Sequence, residues 1–480
     1  MMENSSGGSM NSPHPSPDHA DHGPSRRSIL GALGAVPLAV GGLVAASGSA
    51  EASAAVSATA VSTGTGPIPK NLSSGGASLS KAGLRRVREV LARHVESGKI
   101  PGLVALVSRD GQTHVEAMGT MRAEGGAPMR RDTIFRMAST TKPVAMAAAT
   151  VLIDECRLRL DDPVDQWLPE LADRQVLKRP DGPLNDTVPA QRPITVRDLM
   201  TATFGLGIDP TVLTFPITAA IFERGLYPQE GVPILKPDEW MRRLGTLPLI
   251  YQPGEHWQYN ISHDVLGVLV SRVTGKPFET FLRERIFDPL GMKDSGFHVP
   301  AGKIDRLPPL YAPDPKTGKL IVWDEAAGGR VSRPPAFQSG GGGLVSTVDD
   351  YHAYFRMLLN GGMHGSQRIL SRPAVELMTT NRMTPEETAL RTALAKKYVH
   401  VSFGQGQHGG WGFGMAVRTY RADYASIGQF GWDGGAGTST YGDPDKQLIG
   451  ILLTQVGTTN PDSTRAILDF WTTLYQAIDD

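Results

Sequence analysis

Two nearly continuous apolar segments near opposite ends of the chain most constrain its fold. Residues 102–108 and 448–456 are rich in Leu, Val and Ile, and short apolar runs without alternation are typical of strands buried on both faces. Asp110-Gly111 follows the first run as a hairpin turn, with a return strand at 113–118. The residues between the two runs are mainly helical and loop-rich. We therefore predict an α/β (α+β) fold, with an antiparallel sheet built from both termini, flanking helices and a mainly helical insertion at about 160–340.

Helix signals mark the borders of this sheet. Apolar residues recur at helical spacing near the start of the domain, at Leu84, Val87, Leu91 and Val95, and predict a helix over 80–96. Thr195 and Thr347 each precede an aspartate by three residues, which is typical of a helix start. A final helix is predicted over 463–478.

The first 54 residues carry an export pattern. Arg26-Arg27 precedes a weakly apolar run at 29–46, and small residues follow up to Ala54. This pattern predicts a twin-arginine signal cleaved near Ala54, recognised by the twin-arginine export machinery, and hence a secreted or extracytoplasmic protein. The alternative is an uncleaved anchor helix, which the glycines and Pro37 in the run disfavour.

The residues after the signal divide into two parts. Residues 55–78 are rich in Ser, Thr, Gly and Pro and are predicted to be a flexible lead-in. Residues 79–478 are predicted to form the folded domain, with no stable membrane span after processing.

Composition excludes several classes of function. The chain has 48 basic and 48 acidic side chains, so its formal net charge is zero, which argues against a broadly basic nucleic-acid binder. Its one cysteine, Cys156, can form neither an internal disulfide nor a cysteine-based zinc cluster. The histidines show no metal-ligand spacing, so we predict no metal and no organic cofactor. The sequence also lacks a G-x-S-x-G elbow, which argues against an α/β-hydrolase.

The stretch Ser139-Thr-Thr-Lys142 carries the strongest chemical signal. Residues three apart share one face of a helix, so the Lys142 amine can reach the Ser139 hydroxyl. Serine needs an adjacent base to become a nucleophile. Lysine serves as that base only when neutral, and burial at a helix start lowers its pKa. A second S-x-x-K match, at Ser78 and Lys81, has no apolar flank and is interpreted as accidental.

With its flanks, this motif resembles the serine hydrolases of the class C β-lactamase and penicillin-binding-protein superfamily. That group includes family VIII carboxylesterases, D-stereospecific peptidases and transacylases. Further matching segments are Leu158 with Asp161-Asp162, Thr195 to Leu199, Pro253-Gly254, 340–346 and 430–455. The resemblance implies a β-lactamase/transpeptidase-like fold and an acyl-enzyme mechanism.

The family's second element is a tyrosine, and Tyr259 matches it by following Pro253-Gly254. A phenolate held beside the lysine could accept the serine proton and pass it to the leaving group. Ile261 occupies the third position of this motif, where β-lactamases have an asparagine, and this difference disfavours a β-lactamase. Ile261 is predicted to line the substrate pocket. His263 could line the site but is expected to be structural.

The third element, usually K-T-G, is matched by Gly431-Trp432-Asp433-Gly434-Gly435, which resembles the W-G-G form of some family VIII esterases. A literal Lys316-Thr317-Gly318 lies in a turn-forming context and is interpreted as a decoy.

The resemblance assigns the oxyanion hole to the backbone N–H groups of Ser139 and Gly435, since glycine permits close approach. Trp432, Asp433 and Gly434 are predicted to line the substrate pocket together with Ile261. An ionised Asp433 facing the site would repel anions, so neutral apolar esters or amides are expected to be preferred.

The predicted function is therefore that of an exported serine hydrolase cleaving carboxylic esters or amides through an acyl-serine. A β-lactamase or D-stereospecific peptidase, a transacylase, and a catalytically inactive binding protein stay open as alternatives. The expected partner is a small ester, amide or lactam, with no nucleic acid.

Overall fold

The computed structural model describes residues 78–208, 214–227, 232–314, 316–389 and 409–479. The predicted signal region, its cleavage site and all but the last residue of the lead-in lie outside the described residues.

The described chain contains seventeen strands and eleven α-helices. The strands are β1 (Ser78–Leu79), β2 (Gly102–Arg109), β3 (Gln112–Gly119), β4 (Phe135–Arg136), β5 (Gln175–Leu177), β6 (Thr187–Pro189), β7 (Leu310–Pro313), β8 (Leu320–Asp324), β9 (Val345–Ser346), β10 (Met363–His364), β11 (Gln367–Arg368), β12 (Gly410–Trp411), β13 (Ala416–Val417), β14 (Phe430–Gly434), β15 (Thr438–Asp443), β16 (Leu448–Thr454) and β17 (Ile478–Asp479). The α-helices are α1 (Lys81–Glu96), α2 (Thr141–Asp154), α3 (Val196–Thr201), α4 (Pro216–Glu223), α5 (Pro237–Gly245), α6 (Ile261–Thr274), α7 (Phe278–Leu282), α8 (Asp288–Leu290), α9 (Val348–Leu359), α10 (Arg372–Thr379) and α11 (Pro461–Gln476).

The main sheet joins the two ends of the chain, as predicted. Its seven strands run in the order β12-β13-β14-β15-β16-β2-β3, and every neighbouring pair is antiparallel. The two apolar runs of the sequence form its adjacent strands β16 and β2, with Leu448 opposite Arg109 and Thr454 opposite Leu103. The antiparallel sheet built from both termini is therefore confirmed.

Strand β2 shows why its run is apolar on both faces. All eight of its residues are buried. Val104 and Leu106 enter the large core that also contains α2 and α9. Leu103 and Val107 enter a second core with α1 and α11 on the opposite face. Because successive side chains of a strand alternate in direction, a strand between two helical layers must be apolar throughout.

The predicted helix starts are confirmed by their caps. The Ser80 hydroxyl accepts a hydrogen bond from the Gly83 N–H at the start of α1. Thr195 and Asp198 form a reciprocal capping box at α3, and the Thr347 hydroxyl caps α9. Lys81, the lysine of the second S-x-x-K match, is exposed in the first turn of α1.

The inserted segment contains helices α3 to α8, two small two-stranded sheets and long connecting loops. The literal Lys316-Thr317-Gly318 lies in the exposed turn that joins β7 to β8. There the backbone N–H groups of Lys316 and Thr317 both donate to the Asp314 carboxylate. The predicted turn is therefore confirmed.

The described ranges contain no candidate for a membrane span or for a metal-binding cluster. None of the helices within them is long and apolar enough to cross a membrane, and no grouping of three or more His, Cys, Asp or Glu side chains in those ranges could hold a metal ion.

Candidate active site

Ser139 and Lys142 lie together at the start of α2. A short 3₁₀ turn, Ala138–Thr140, leads directly into the helix. The Lys142 Nζ lies 3.0 Å from the Ser139 Oγ, within hydrogen-bond distance. The lysine side chain is fully buried, whereas 8% of the serine is exposed. The predicted reach of the amine to the hydroxyl is therefore present.

The backbone that carries Ser139 is held in an uncommon conformation. Ala138 has a φ of +47°, a left-handed value that costs a residue with a Cβ about 1 kcal/mol or more. Tyr351 and Tyr354 of α9 donate hydrogen bonds from their hydroxyls to the carbonyls of Thr140 and Pro143. These buried contacts fix the first turn of α2 and hold the strained residue in place.

Lys142 makes its second polar contact with a distant loop. Its Nζ donates to the Gly341 carbonyl oxygen at 2.5 Å. It also lies 4.4 Å from the centre of the Tyr259 ring. Burial lowers the pKa of Lys142 to about 7, while the charge of Asp264 acts in the opposite direction. A substantial fraction of the amine is therefore neutral near neutral pH, as a general base requires.

Asp264, in the first turn of α6, organises the loop that contacts Lys142. Its Oδ1 accepts hydrogen bonds from the Ser339 hydroxyl at 2.6 Å and from the Gly341 N–H at 3.0 Å. The side chain is fully buried. Burial raises its pKa to about 6, against the lowering effects of Ser339, the Gly341 N–H and Lys142.

Tyr259 lies directly before α6, in a buried aromatic cluster. The Trp432 Nε1–H donates to the Tyr259 hydroxyl oxygen at 2.8 Å. The ring of Trp411 packs edge-on against Trp432, with centroids 4.8 Å apart. A donor to the phenolic oxygen favours its ionised form. The structure therefore brings Tyr259 to the lysine and places Trp432 on the tyrosine.

A cavity of about 520 Å³ opens beside Ser139. Its lining includes Asn260, the loop around Gly341, and Gly435. Apolar groups such as Phe297 and Phe337 supply much of its wall, with Arg330 and Arg333 among its charged residues. A volume of this size falls in the range of sites for small organic ligands.

Strand β14 brings Gly434 and Gly435 against the Ser139 turn. A Cβ on Gly434 would lie 2.3 Å from the Met137 carbonyl oxygen, so only glycine fits there. Gly435 lines the cavity together with Ser139. These two residues, to which the oxyanion hole was assigned, therefore lie at the same cavity wall.

Trp432, Asp433 and Gly434, which were predicted to line the substrate pocket, are not among the residues that line this cavity. Successive side chains of a strand point to opposite faces, and Trp432 occupies the face toward Tyr259. Asp433 is buried on the other face, where its Oδ2 accepts a hydrogen bond from the Tyr441 hydroxyl at 2.5 Å. The expected repulsion of anionic substrates by Asp433 loses its basis.

The prediction for Ile261 also needs correction. Its side chain is fully buried in the large apolar core at the start of α6. The neighbouring Asn260 lines the cavity instead.

His263 and Cys156, which were considered in the sequence analysis, both lie outside the Ser139, Lys142 and Tyr259 group. His263 is fully buried, with its Nδ1 3.2 Å from the Asn260 carbonyl oxygen. Burial lowers the pKa of His263 well below its usual range, so the ring stays neutral beside Lys142. Cys156 is exposed just after α2.

The contributions of Gly341 and Asp264 were missed by sequence reasoning. The segment 340–346 was recognised as part of the resemblance, but the contact of its Gly341 carbonyl with Lys142 was not. Asp264 is a lone acid within a largely apolar helix, and such a residue is a signal for a buried polar role.

Comparison with known proteins agrees with this architecture. Residues 87–469 match the β-lactamase family. Protein Rv1367c of Mycobacterium tuberculosis (strain ATCC 25618 / H37Rv) is 38% identical over 376 residues, which cover 77% of this chain and 88% of that protein. Esterase EstB of Burkholderia gladioli is 33% identical over 290 residues, covering 57% of this chain and 69% of that protein. The solved structure of EstCE1, a hydrolase with promiscuous acyltransferase activity, matches with a TM-score of 0.65 and 25% identity, covering 81% of this chain and 99% of that one.

A sheet built from both termini, with a buried serine–lysine pair at a helix start beside it, defines a serine hydrolase of the penicillin-binding type. The chain belongs to the β-lactamase family, resembles the family VIII esterases, and acts through an acyl-enzyme.

Proposed function

We propose that the protein hydrolyses carboxylic esters with apolar acyl groups, using Ser139 as nucleophile and Lys142 with Tyr259 as the proton-transfer pair. The observation that carries this proposal is the placement of the Lys142 amine between the Ser139 hydroxyl and the Gly341 carbonyl. A neutral amine has two N–H groups and one lone pair. The carbonyl can only accept, so it takes an N–H, which leaves the lone pair available to Ser139.

In the proposed acylation step, Ser139 Oγ attacks the ester carbonyl carbon and its proton passes to Lys142. The oxyanion that forms would be stabilised by the backbone N–H groups of Ser139 and Gly435. Tyr259 then relays the proton to the leaving alkoxide, and the carbon–oxygen bond of the ester breaks. Water attacks the acyl-serine by the same steps in reverse, which releases the acid and restores the Ser139 hydroxyl.

The substrate class follows from the cavity beside Ser139. Its apolar walls favour an apolar acyl group. The segment in the K-T-G position presents Trp432, whose indole N–H is engaged with Tyr259. The literal Lys316-Thr317-Gly318 lies in an exposed hairpin turn. Both facts support esters over β-lactams or D-alanyl peptides, whose carboxylate the K-T-G lysine and threonine would bind.

The test compares turnover of 4-nitrophenyl esters of increasing chain length, nitrocefin and a D-Ala-D-Ala peptide by residues 55–480. We expect ester turnover to exceed nitrocefin turnover by at least about 100-fold. Ser139→Ala should abolish it, whereas Lys81→Met, which alters the accidental motif, should leave it unchanged. Comparable nitrocefin turnover would refute the substrate class, and full activity of Ser139→Ala would refute the nucleophile.

Acyl transfer to an alcohol or amine is the second candidate function. EstCE1 has promiscuous acyltransferase activity, and a cavity of about 520 Å³ has room for an acceptor beside a short acyl group. Adding a primary alcohol to the ester assay and measuring transfer product against free acid tests this candidate. Product that stays at the uncatalysed level would exclude it.

We also propose that the protein is exported by the twin-arginine route. The support is the Arg26-Arg27 pair, the apolar run and the small residues up to Ala54. Replacing both arginines with lysine should retain the precursor inside the producing cell, whereas the unaltered chain should be recovered outside the cytoplasm with a new N-terminus near residue 55.

A further inference from the structure

Asp264 lies outside the proposed Ser139, Lys142 and Tyr259 machinery, yet it is bound to the loop that contacts Lys142. The Gly341 peptide is held at both ends. Its N–H donates to Asp264 Oδ1 at 3.0 Å, and its carbonyl accepts from Lys142 Nζ at 2.5 Å. The Asp264 carboxylate therefore helps to fix the position of the Gly341 carbonyl that accepts the Lys142 N–H.

The same carboxylate makes further contacts with this loop and with the turn that carries Tyr259. The Ser339 hydroxyl donates to its Oδ1 at 2.6 Å, and Gly342 N–H in turn donates to the Ser339 oxygen at 3.1 Å. Asn260 follows Tyr259 with a left-handed φ of +75°, and its Nδ2 lies 3.5 Å from Asp264 Oδ2. One buried side chain thus connects the glycine loop and the turn that carries Tyr259.

Asp264 is also the charge opposite Lys142. Both side chains are fully buried, and a buried cation needs a buried anion to offset its loss of hydration. The other groups facing Lys142 on this side are the Tyr259 ring and His263, which stays neutral. On the α9 side, the hydroxyls of Tyr351 and Tyr354 donate to backbone carbonyls.

We infer that Asp264 is a positioning residue that orients the Lys142 amine through Gly341 and sets the balance between its protonated and neutral forms. This inference rests on the proposed function, in which Lys142 accepts the Ser139 proton. The carboxylate stabilises the ammonium form, so it holds the lysine charged at low pH. The Gly341 carbonyl takes one N–H of the neutral form and leaves the lone pair available to Ser139.

Asp264→Asn separates these contributions. The asparagine oxygen can still accept from Ser339 and Gly341, so the loop keeps its hydrogen bonds while the charge is lost. Without the negative charge, the ammonium form of Lys142 loses its stabilisation, and the acid limb of kcat/KM against pH moves to lower pH by about one unit. Asp264→Ala removes the hydrogen bonds as well and should also lower kcat at the pH optimum, by about tenfold or more.

Asp350 offers a matched control. It is another buried carboxyl, with a pKa that burial raises to about 6, and it accepts a hydrogen bond from the Ser295 hydroxyl at 2.8 Å. Asp350→Asn should leave the acid limb where it is. Should Asp264→Asn fail to fold, Ser339→Ala keeps the carboxylate but removes one bond that favours its ionised form. We then expect a smaller shift in the same direction.

An unmoved acid limb in a folded Asp264→Asn protein would overturn the inference and leave Asp264 with a structural role. A fluorophosphonate that labels Ser139 is used alongside the ester assay. If the wild type is labelled but cleaves no ester, the proposed substrate class fails. The pH dependence of labelling still tests Asp264 in that case.

Discussion

Gly434 and Met137 approach each other so closely that a Cβ on the glycine would lie 2.3 Å from the methionine carbonyl oxygen. This contact fastens strand β14 to the turn that carries Ser139. Thr438 strengthens it by donating its hydroxyl to the same carbonyl at 3.0 Å. The relative position of Ser139 and Gly435 is thus set by the packing of the Gly434 backbone against the Met137 backbone.

Gly434→Ala is expected to impair both catalysis and stability. The new methyl group would force β14 away from Met137, and a displacement of about 1 Å at a reacting centre can cost about 100-fold in rate. The overpacking should cost about 1–3 kcal/mol of unfolding free energy. Steady-state kinetics and chemical denaturation measure the two effects. Gly302→Ala is the control, because a Cβ there meets nothing within 4 Å. An unchanged kcat in Gly434→Ala would show that catalysis does not need the close contact between Gly434 and Met137.

The activity should fall on the acid side of a pH near 7. Burial lowers the pKa of Lys142 to about 7. Below that pH the amine is protonated and cannot accept the Ser139 proton, so kcat/KM should drop by about tenfold for each further pH unit. Lys142→Arg keeps a cation at every working pH and should be inactive throughout, while Lys81→Arg should follow the wild type. A profile that stays flat from pH 5 to 8 would exclude Lys142 as the base.

Trp432→Phe should slow acylation by about 10- to 150-fold. The change removes the N–H that donates to the Tyr259 hydroxyl oxygen at 2.8 Å, and a hydrogen bond to a charged oxygen contributes about 1.5–3 kcal/mol. The check is a double-mutant cycle with Tyr259→Phe, measured by pre-steady-state release of nitrophenol. In the Tyr259→Phe background the tryptophan change should have little further effect. If Trp432→Phe slowed acylation equally in both backgrounds, Trp432 would not act through the Tyr259 hydroxyl.

Asp433→Asn should flatten the pH dependence of stability. Burial raises the pKa of Asp433 from its ordinary 3.8 to about 7. Between those values the folded state keeps a proton that the unfolded state has released, so stability falls as the pH rises from 4 to 7, by on the order of 4 kcal/mol. Asp433→Asn should lack the loss of stability that Asp433 causes between pH 4 and pH 7, and it should be more stable than the wild type at pH 8. Thermal melting from pH 4 to 8 measures the difference, with the exposed Asp110→Asn as control.

The same Asp433 variant tests the corrected placement of this residue. Because the carboxyl lies on the face of β14 away from Trp432, the ratio of turnover for neutral and carboxylate-bearing esters should not change. A shift of that ratio toward anionic esters would return Asp433 to the substrate pocket.

Much of the scaffold was predictable because it depends on local patterns. The apolar runs became β2 and β16, since only strands between two helical layers tolerate such continuity. Thr195 and Thr347 start helices through bonds to residues three positions on. The Ser139–Lys142 contact is also local, because these residues lie three positions apart where the 3₁₀ turn leads into α2.

The features that the sequence did not predict depend on which face of a strand a side chain occupies and on contacts with distant residues. Trp432 and Asp433 are neighbours in sequence, and alternation separates their faces. Only packing in the folded chain directs Trp432 toward Tyr259 and Asp433 toward Tyr441.

By itself, then, the sequence determined the strands, the helix starts and the serine–lysine pair, because each arises within a few residues of chain. Only the tertiary structure decided what surrounds that pair. Gly341 is 199 positions from Lys142, and Asp264 reaches it through that same loop. The low pKa of Lys142 results from burial by these distant segments, and no local pattern encodes how much water a fold excludes.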